Sequence, residues 1–148
     1  MLGLDDEVTF HESDTNGLDR PHNDPLVITL TIGDFNVERV LIDTGNTLDI
    51  IFLTSLREMK VDMTQIVPTP RYVLGFSGET TMTLGTIKLP FRAKGVTKIV
   101  DFPVTDQPTV YNVIIATPWL NHFRVVASTY HLCLKFPTSN GVKTIWGN

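Results

Sequence analysis

Cysteine is almost absent from this sequence. Its single copy, Cys133, cannot close an internal disulfide or build a zinc knuckle, which excludes a disulfide scaffold and points to a reducing, intracellular and cytoplasmic setting. Long apolar runs are missing too: no segment reaches the roughly 18 uninterrupted apolar residues of a membrane span. The opening residues, Met1 to Glu7, turn acidic at once and lack the basic and apolar regions of a secretory leader, so neither a signal peptide nor a membrane partner is expected. Basic clusters are also absent. Twelve Lys plus Arg against sixteen Asp plus Glu give a net charge of -4, a balance that argues against nucleic acid as a partner. His11, His22, His122 and His131 have no ligand-like spacing, and Gly33, Gly75, Gly78 and Gly85 precede no Lys-Ser/Thr pair. No metal, nucleotide or other cofactor is expected.

What remains suits one folded domain. The chain has 148 residues, 42% hydrophobic and 19% charged, enough to bury about two-thirds of the unfolded surface. Residues 1–25 are polar and rich in Asp, Asn, Gly and Pro, and read as a flexible arm or linker ahead of a domain at 26–148. From Leu26 the pattern becomes period-two: Leu26, Ile28, Leu30 and Ile32 alternate with Val27, Thr29 and Thr31. With a turn at Gly33-Asp34-Phe35-Asn36 and a second run at Val37–Ile42, this predicts a hairpin. A third apolar run, Leu48–Leu53, leads to one short helix from Thr54, where Ser55 and Glu58 have capping-box spacing. A second hairpin is expected over Tyr72–Leu89, turning at Gly75-Phe76-Ser77-Gly78 with a bulge at Gly85. Val96–Val104, Val110–Ala116 and Tyr130–Phe136 add further strands, giving an all-β class with one or two short helices. One weak repeat stands out: Val40-Leu41-Ile42-Asp43-Thr44 and Val113-Ile114-Ile115-Ala116-Thr117 share three β-formers, a small or acidic residue and Thr.

The chemistry-bearing candidate is Asp43-Thr44-Gly45, directly after a buried-looking strand. A carboxylate at a strand end has its backbone fixed by the sheet, which is how a reacting acid is held rigidly. Thr44 adds a hydroxyl that can orient neighbours, and Gly45 permits positive φ or close approach of another backbone. Alone, the tripeptide is weak evidence, because Asp-Gly-like turns mostly just reverse a chain.

Its surroundings carry more. Val8-Thr9-Phe10, Pro21-His22-Asn23-Asp24, Val40 through Gly45, Gly75-Phe76-Ser77-Gly78-Glu79 with Leu84-Gly85-Thr86-Ile87, Tyr111 through Ile115, and Ser128 through Leu132 with Lys135-Phe136-Pro137-Thr138 and Gly141-Val142 form ordered blocks. In these the sequence resembles the retropepsin-like aspartic proteases, in particular the protease segment of plant Ty3/Gypsy-type retrotransposon polyproteins. The resemblance implies a retropepsin-like closed β-barrel, functional as a homodimer. It implies an aspartic endopeptidase that cleaves extended hydrophobic peptide segments of a polyprotein, with a water activated between two facing aspartates. Such carboxylates cannot both ionise easily, so they share one proton. Only Asp43 is followed by Thr-Gly or Ser-Gly, so one chain supplies half a site and a second copy the other half.

By the same resemblance Asp43, Thr44 and Gly45 are the catalytic set, with Thr44 bonding across the dimer. Asn46, Gly75, Phe76, Ser77 and Gly78 would line the substrate, the last four as a flap tip, and Val142–Trp146 would form an interface strand. Three positions depart from the family pattern: Asn46 replaces Ser or Ala, Ala116 a Gly, and Thr117 a frequent Arg. Asn46 is expected either to donate its amide to the carboxylate or to crowd the site. A methyl at a position expected to need positive φ costs about 1 kcal/mol, and the missing Arg removes an ion-pair anchor. These departures motivate the alternative, a decayed or domesticated retropepsin-like dimerisation or peptide-binding domain. Cys133, Trp119 and Trp146 read as packing or interface residues.

Overall fold

Alternation along the first strand sets the architecture. The structure, a computed structural model, describes residues 25–69, 72–74, 80–128 and 130–148, with the backbone alone for 72–74 and 80–82. The expected arm at 1–25 therefore lies outside the described residues except for its last position. β1 (Leu26–Ile32) buries Leu26, Ile28, Leu30 and Ile32 and half-exposes the residues between them. A two-residue turn, with Gly33 at φ +60°, leads into β2 (Phe35–Ile42), two residues earlier than the pattern predicts. The pairing slips between Ile28↔Val40 and Leu30↔Val37 and leaves Arg39 at φ 54°, a bulge that re-aims the second half of β2.

The chain continues through β3 (Ile50–Phe52), α1 (Leu53–Glu58), a 3-10 turn at Met63–Gln65, β4 (Tyr72–Leu74) and β5 (Thr80–Met82). It then runs through β6 (Gly85–Ala93), β7 (Val96–Thr105), β8 (Val113–Ile115), α2 (Thr117–His122), β9 (Val126–Ser128), β10 (Cys133–Thr138) and β11 (Gly141–Trp146). Six strands close a barrel in the order β1-β2-β8-β3-β7-β6. β9, β10 and β11 form a three-stranded antiparallel sheet with β10 central, and β4 pairs with β5. β8 lies between β2 and β3, parallel to the first and antiparallel to the second.

Some expectations change. No capping box starts α1: its cap position is Phe52, and Ser55 sits inside the helix, where its hydroxyl donates to Asn112 Oδ1 at 2.7 Å. Tyr72–Leu89 is not one hairpin. β5 stops at Met82, Thr83 and Leu84 carry the chain across, and β6 pairs with β7 along its whole length. Gly85 marks that crossing rather than a bulge within a hairpin. It has φ +153°, and a Cβ there would stand 2.3 Å from the Val67 carbonyl oxygen, so only glycine fits. α2 is the second of the one or two short helices expected, at a place the sequence reading leaves open although Pro118 in its first turn is a helix-start signal, and β9 adds a strand to those expected.

The core fills the barrel and extends under α2. Phe91 stacks on Phe102 at 4.7 Å between ring centroids, Trp119 stacks on Phe123 at 4.3 Å, and Phe91 meets Trp119 edge-on at 6.1 Å. Trp119 is fully buried, so α2 is anchored to the β6–β7 hairpin by an aromatic stack. Cys133 is buried and in no disulfide, and Trp146 is about half exposed on β11. Among the described residues no helix is long and apolar enough to cross a membrane.

Candidate functional site

The weak sequence repeat becomes a physical object here. β2 and β8 lie side by side in parallel, with Val40 opposite Val113, Leu41 opposite Ile114 and Ile42 opposite Ile115. All six residues are buried. The next residue on each strand differs: the β2 strand ends in Asp43, the β8 strand in Ala116. The Asp43 amide donates to the Ile115 carbonyl at 2.8 Å, so the sheet holds the aspartate backbone to the last rung.

Past that rung the chain forms an open loop. The Gly45 amide donates to Asp43 Oδ1 at 3.2 Å and the Asn46 amide to the Asp43 carbonyl at 3.3 Å. Asp43 is half-buried, and Thr44 and Gly45 are exposed. The loop thus presents a carboxylate and a threonine hydroxyl on a surface, with backbone beneath them already paired. Gly45 takes no positive φ, and a Cβ on it would meet Asp43 Oδ1 at an ordinary 3.6 Å. Neither reason for a glycine at 45 therefore operates within the single chain.

The three departures find a common use. The Asn46 carboxamide bonds within its own loop: its Oδ1 accepts from the Thr47 amide at 2.9 Å. The Asn46 carbonyl accepts from the Thr117 hydroxyl at 3.0 Å and, more weakly, from the Thr117 amide at 3.5 Å. Ala116 has φ -120° and ψ -168°, extended backbone that any residue adopts, so the expected strain from its methyl does not arise. Thr117, in the place of the expected arginine, ties the Asp43 loop to α2 within the chain.

One residue of the site escaped sequence reasoning. Asp49 lacks a following Thr-Gly or Ser-Gly and so attracted no role, yet it is 2% exposed. Its Oδ1 accepts from the Ala116 amide at 2.6 Å, and its carboxylate also accepts from the Trp119 amide. Burial pushes its carboxyl from 3.8 up to about 7, against the pull of those two backbone amides. The available signal was a carboxylate set between Leu48 and Ile50 in an apolar run, where charge is costly unless it is partnered.

The proposed flap tip, Gly75, Phe76, Ser77 and Gly78, lies outside the described residues; the structure describes β4 and β5 on either side of it. Val142–Trp146 falls in β11, paired with β10 of its own chain. A recess of about 280 Å³ lined by Phe35, Glu38, Arg39, Ser55, Glu58 and Asn112 lies at the start of β2 and shares no residue with the Asp43 loop. Among the described residues no three His, Cys, Asp or Glu side chains gather as a metal site.

No protein-family model and no curated protein matches this sequence. Solved structures do match. The retroviral protease-like domain of Ddi1 from Leishmania major aligns with a TM-score of 0.64 at 17% identity, over 84% of this chain and 94% of that one. A retropepsin-like aspartic protease from Rickettsia conorii aligns at 0.55 and 12% identity, over 85% of each chain. EIAV protease, in complex with the inhibitor HBY-793, aligns at 0.53 and 16% identity, over 75% of this chain and 99% of that one. At such identities the likeness speaks for the fold: an all-β, retropepsin-like closed barrel with two short helices.

Proposed function

We propose that this chain is one half of an aspartic endopeptidase, assembled as a homodimer in which Asp43 of each copy faces the other across a water. The observation that carries this reading is the rigid presentation of Asp43-Thr44-Gly45 at the end of a strand locked against β8, in a barrel shared with proteins described as aspartic proteases. In the dimer one Asp43 carboxylate takes a proton from the water, which attacks the peptide carbonyl, while the protonated partner donates to the carbonyl oxygen. Closeness of two like charges keeps one proton on the pair, so activity belongs to acidic or mildly acidic pH. Thr44, exposed beside Asp43, would bond across the two-fold axis, and the absence of a side chain at Gly45 would leave room for the second loop.

The substrate is an extended hydrophobic peptide segment held by strand-like pairing between the site and residues 75–78, with Phe76 against an apolar side chain and Asn46 at the floor. The ordered sequence blocks support an origin in a Ty3/Gypsy-type retrotransposon polyprotein, with processing of that polyprotein as the task. The test is cleavage of a mixed peptide library at pH 4 to 7 by wild type and Asp43→Asn. The expected result is turnover by wild type and a loss of at least about a hundredfold in the variant. Equal cleavage by both would sink the reading.

A further inference from the structure

α2 is a short helix with a defective start. Its cap position is Ala116, which has no side-chain acceptor, and Pro118 has no amide to satisfy. The free amides of its first turn still need partners. They find them in the loop that carries Asp43. Ala116 donates to Asp49 Oδ1 at 2.6 Å, Trp119 donates to the same carboxylate, and Thr117 bonds the Asn46 carbonyl through its hydroxyl at 3.0 Å and its amide at 3.5 Å. Leu120 begins the helical ladder by donating to the Ala116 carbonyl at 3.2 Å. A capping box normally joins the cap residue and the third helical residue of one helix; here a carboxylate from another element bonds both of those amides. The dipole at a helix start favours that negative charge. Meanwhile Trp119 pins the helix to Phe91 and Phe123 in the core. One end of the brace is thus fixed in the aromatic stack, and the other end is the 43–49 loop.

We propose that Asp49 is a positioning residue for the candidate site: it supplies from the reacting loop the cap that α2 lacks, and so transmits to Asp43 the rigidity of a helix anchored in the core by Trp119. The role rests on the reading of Asp43 as the reacting carboxylate. Few titratable groups share these elements. β3 and β8 have none, the loop adds Asp43, and α2 adds His122 in its exposed last turn.

The experiment uses the full chain in three forms, wild type, Asp49→Ala and Asp49→Asn, the last keeping an acceptor oxygen. Amide hydrogen exchange is read at Ala116, Trp119 and Gly45, and kcat and KM are measured on a peptide that wild type cleaves. The expected result for Asp49→Ala is faster exchange at all three amides, with kcat down roughly tenfold to a hundredfold and KM little changed. Asp49→Asn should recover most of both. Faster exchange at Ala116 and Trp119 with Gly45 and kcat unmoved would make Asp49 a helix cap only and overturn the proposal. If wild type cleaves nothing, the protease reading fails by itself, and exchange at Gly45 still decides whether the brace reaches the loop. If Asp49→Ala does not fold, the amide shifts of wild type decide: Gly45 should titrate with the same midpoint as Ala116 and Trp119, and that midpoint should vanish in Asp49→Asn. A Gly45 amide indifferent to it would contradict the proposal.

Discussion

β2 and β8 are near copies that end differently. Three buried β-formers on each pair rung by rung, and then one strand delivers Asp43 to an open loop while the other delivers Ala116 to a short helix anchored in the core by Trp119 and Leu120. The strands contribute the same thing to both ends, a backbone fixed by hydrogen bonds. A single side chain and its surroundings set the two ends apart: position 43 carries a half-buried carboxylate, and position 116 carries a fully buried methyl on a residue whose backbone amide donates to Asp49 Oδ1. On the proposed reading of Asp43, chemistry and support are divided between two similar units, each incomplete without the other.

Exchanging the two ends is the harshest test of that division. Ala116→Asp would bury a second carboxylate beside Asp49, and we expect about 5 kcal/mol of lost stability, from an unpaired buried charge together with overpacking, read as a lower urea midpoint. Removing the anchor of the supporting unit ranks next. Trp119→Ala should cost about 4 kcal/mol, because it empties an aromatic stack in the core.

The third test concerns pH. The folded chain holds the Asp49 proton more tightly than the unfolded chain does, since burial raises the carboxyl from 3.8 to about 7. That contribution is full below pH 3.8, fades as pH rises through the window and is gone above about 7. Between pH 4.5 and 7.5 wild type should therefore lose about 3 kcal/mol on account of this group, and Asp49→Asn should lack that part of the slope. Urea unfolding of both at pH 4.5 and 7.5 measures it. The smallest effect belongs to the reacting unit: Asp43→Ala removes a half-exposed carboxylate and should change stability by under about 1 kcal/mol. A large loss there would erase the contrast between a functional end and a structural one.

Much of this was legible in the sequence because it is local. Alternation at Leu26–Ile32, the turn at Gly33 and the strand before Asp43 are written in neighbouring residues, and the structure places those strands within two residues. The repeat at 40–44 and 113–117 was visible as a pattern, but not as a parallel pair, because pairing across about seventy residues leaves no mark in periodicity. Ser55 and Glu58 matched a capping box by spacing, yet the hydroxyl found a better partner in Asn112, a contact only the fold could create. Asp49 stayed hidden for the same reason: its partners are backbone amides, which carry no residue identity. The costs assigned to Ala116 failed because the backbone there is extended.

The claim that one chain holds half a site is tested most directly by turnover per chain across a dilution series, with sedimentation of the same samples. Turnover should fall in step with the dimer fraction, and a tandem fusion carrying Asp43→Asn in one copy should be inactive. Constant turnover per chain at concentrations where sedimentation finds only monomer would contradict the account.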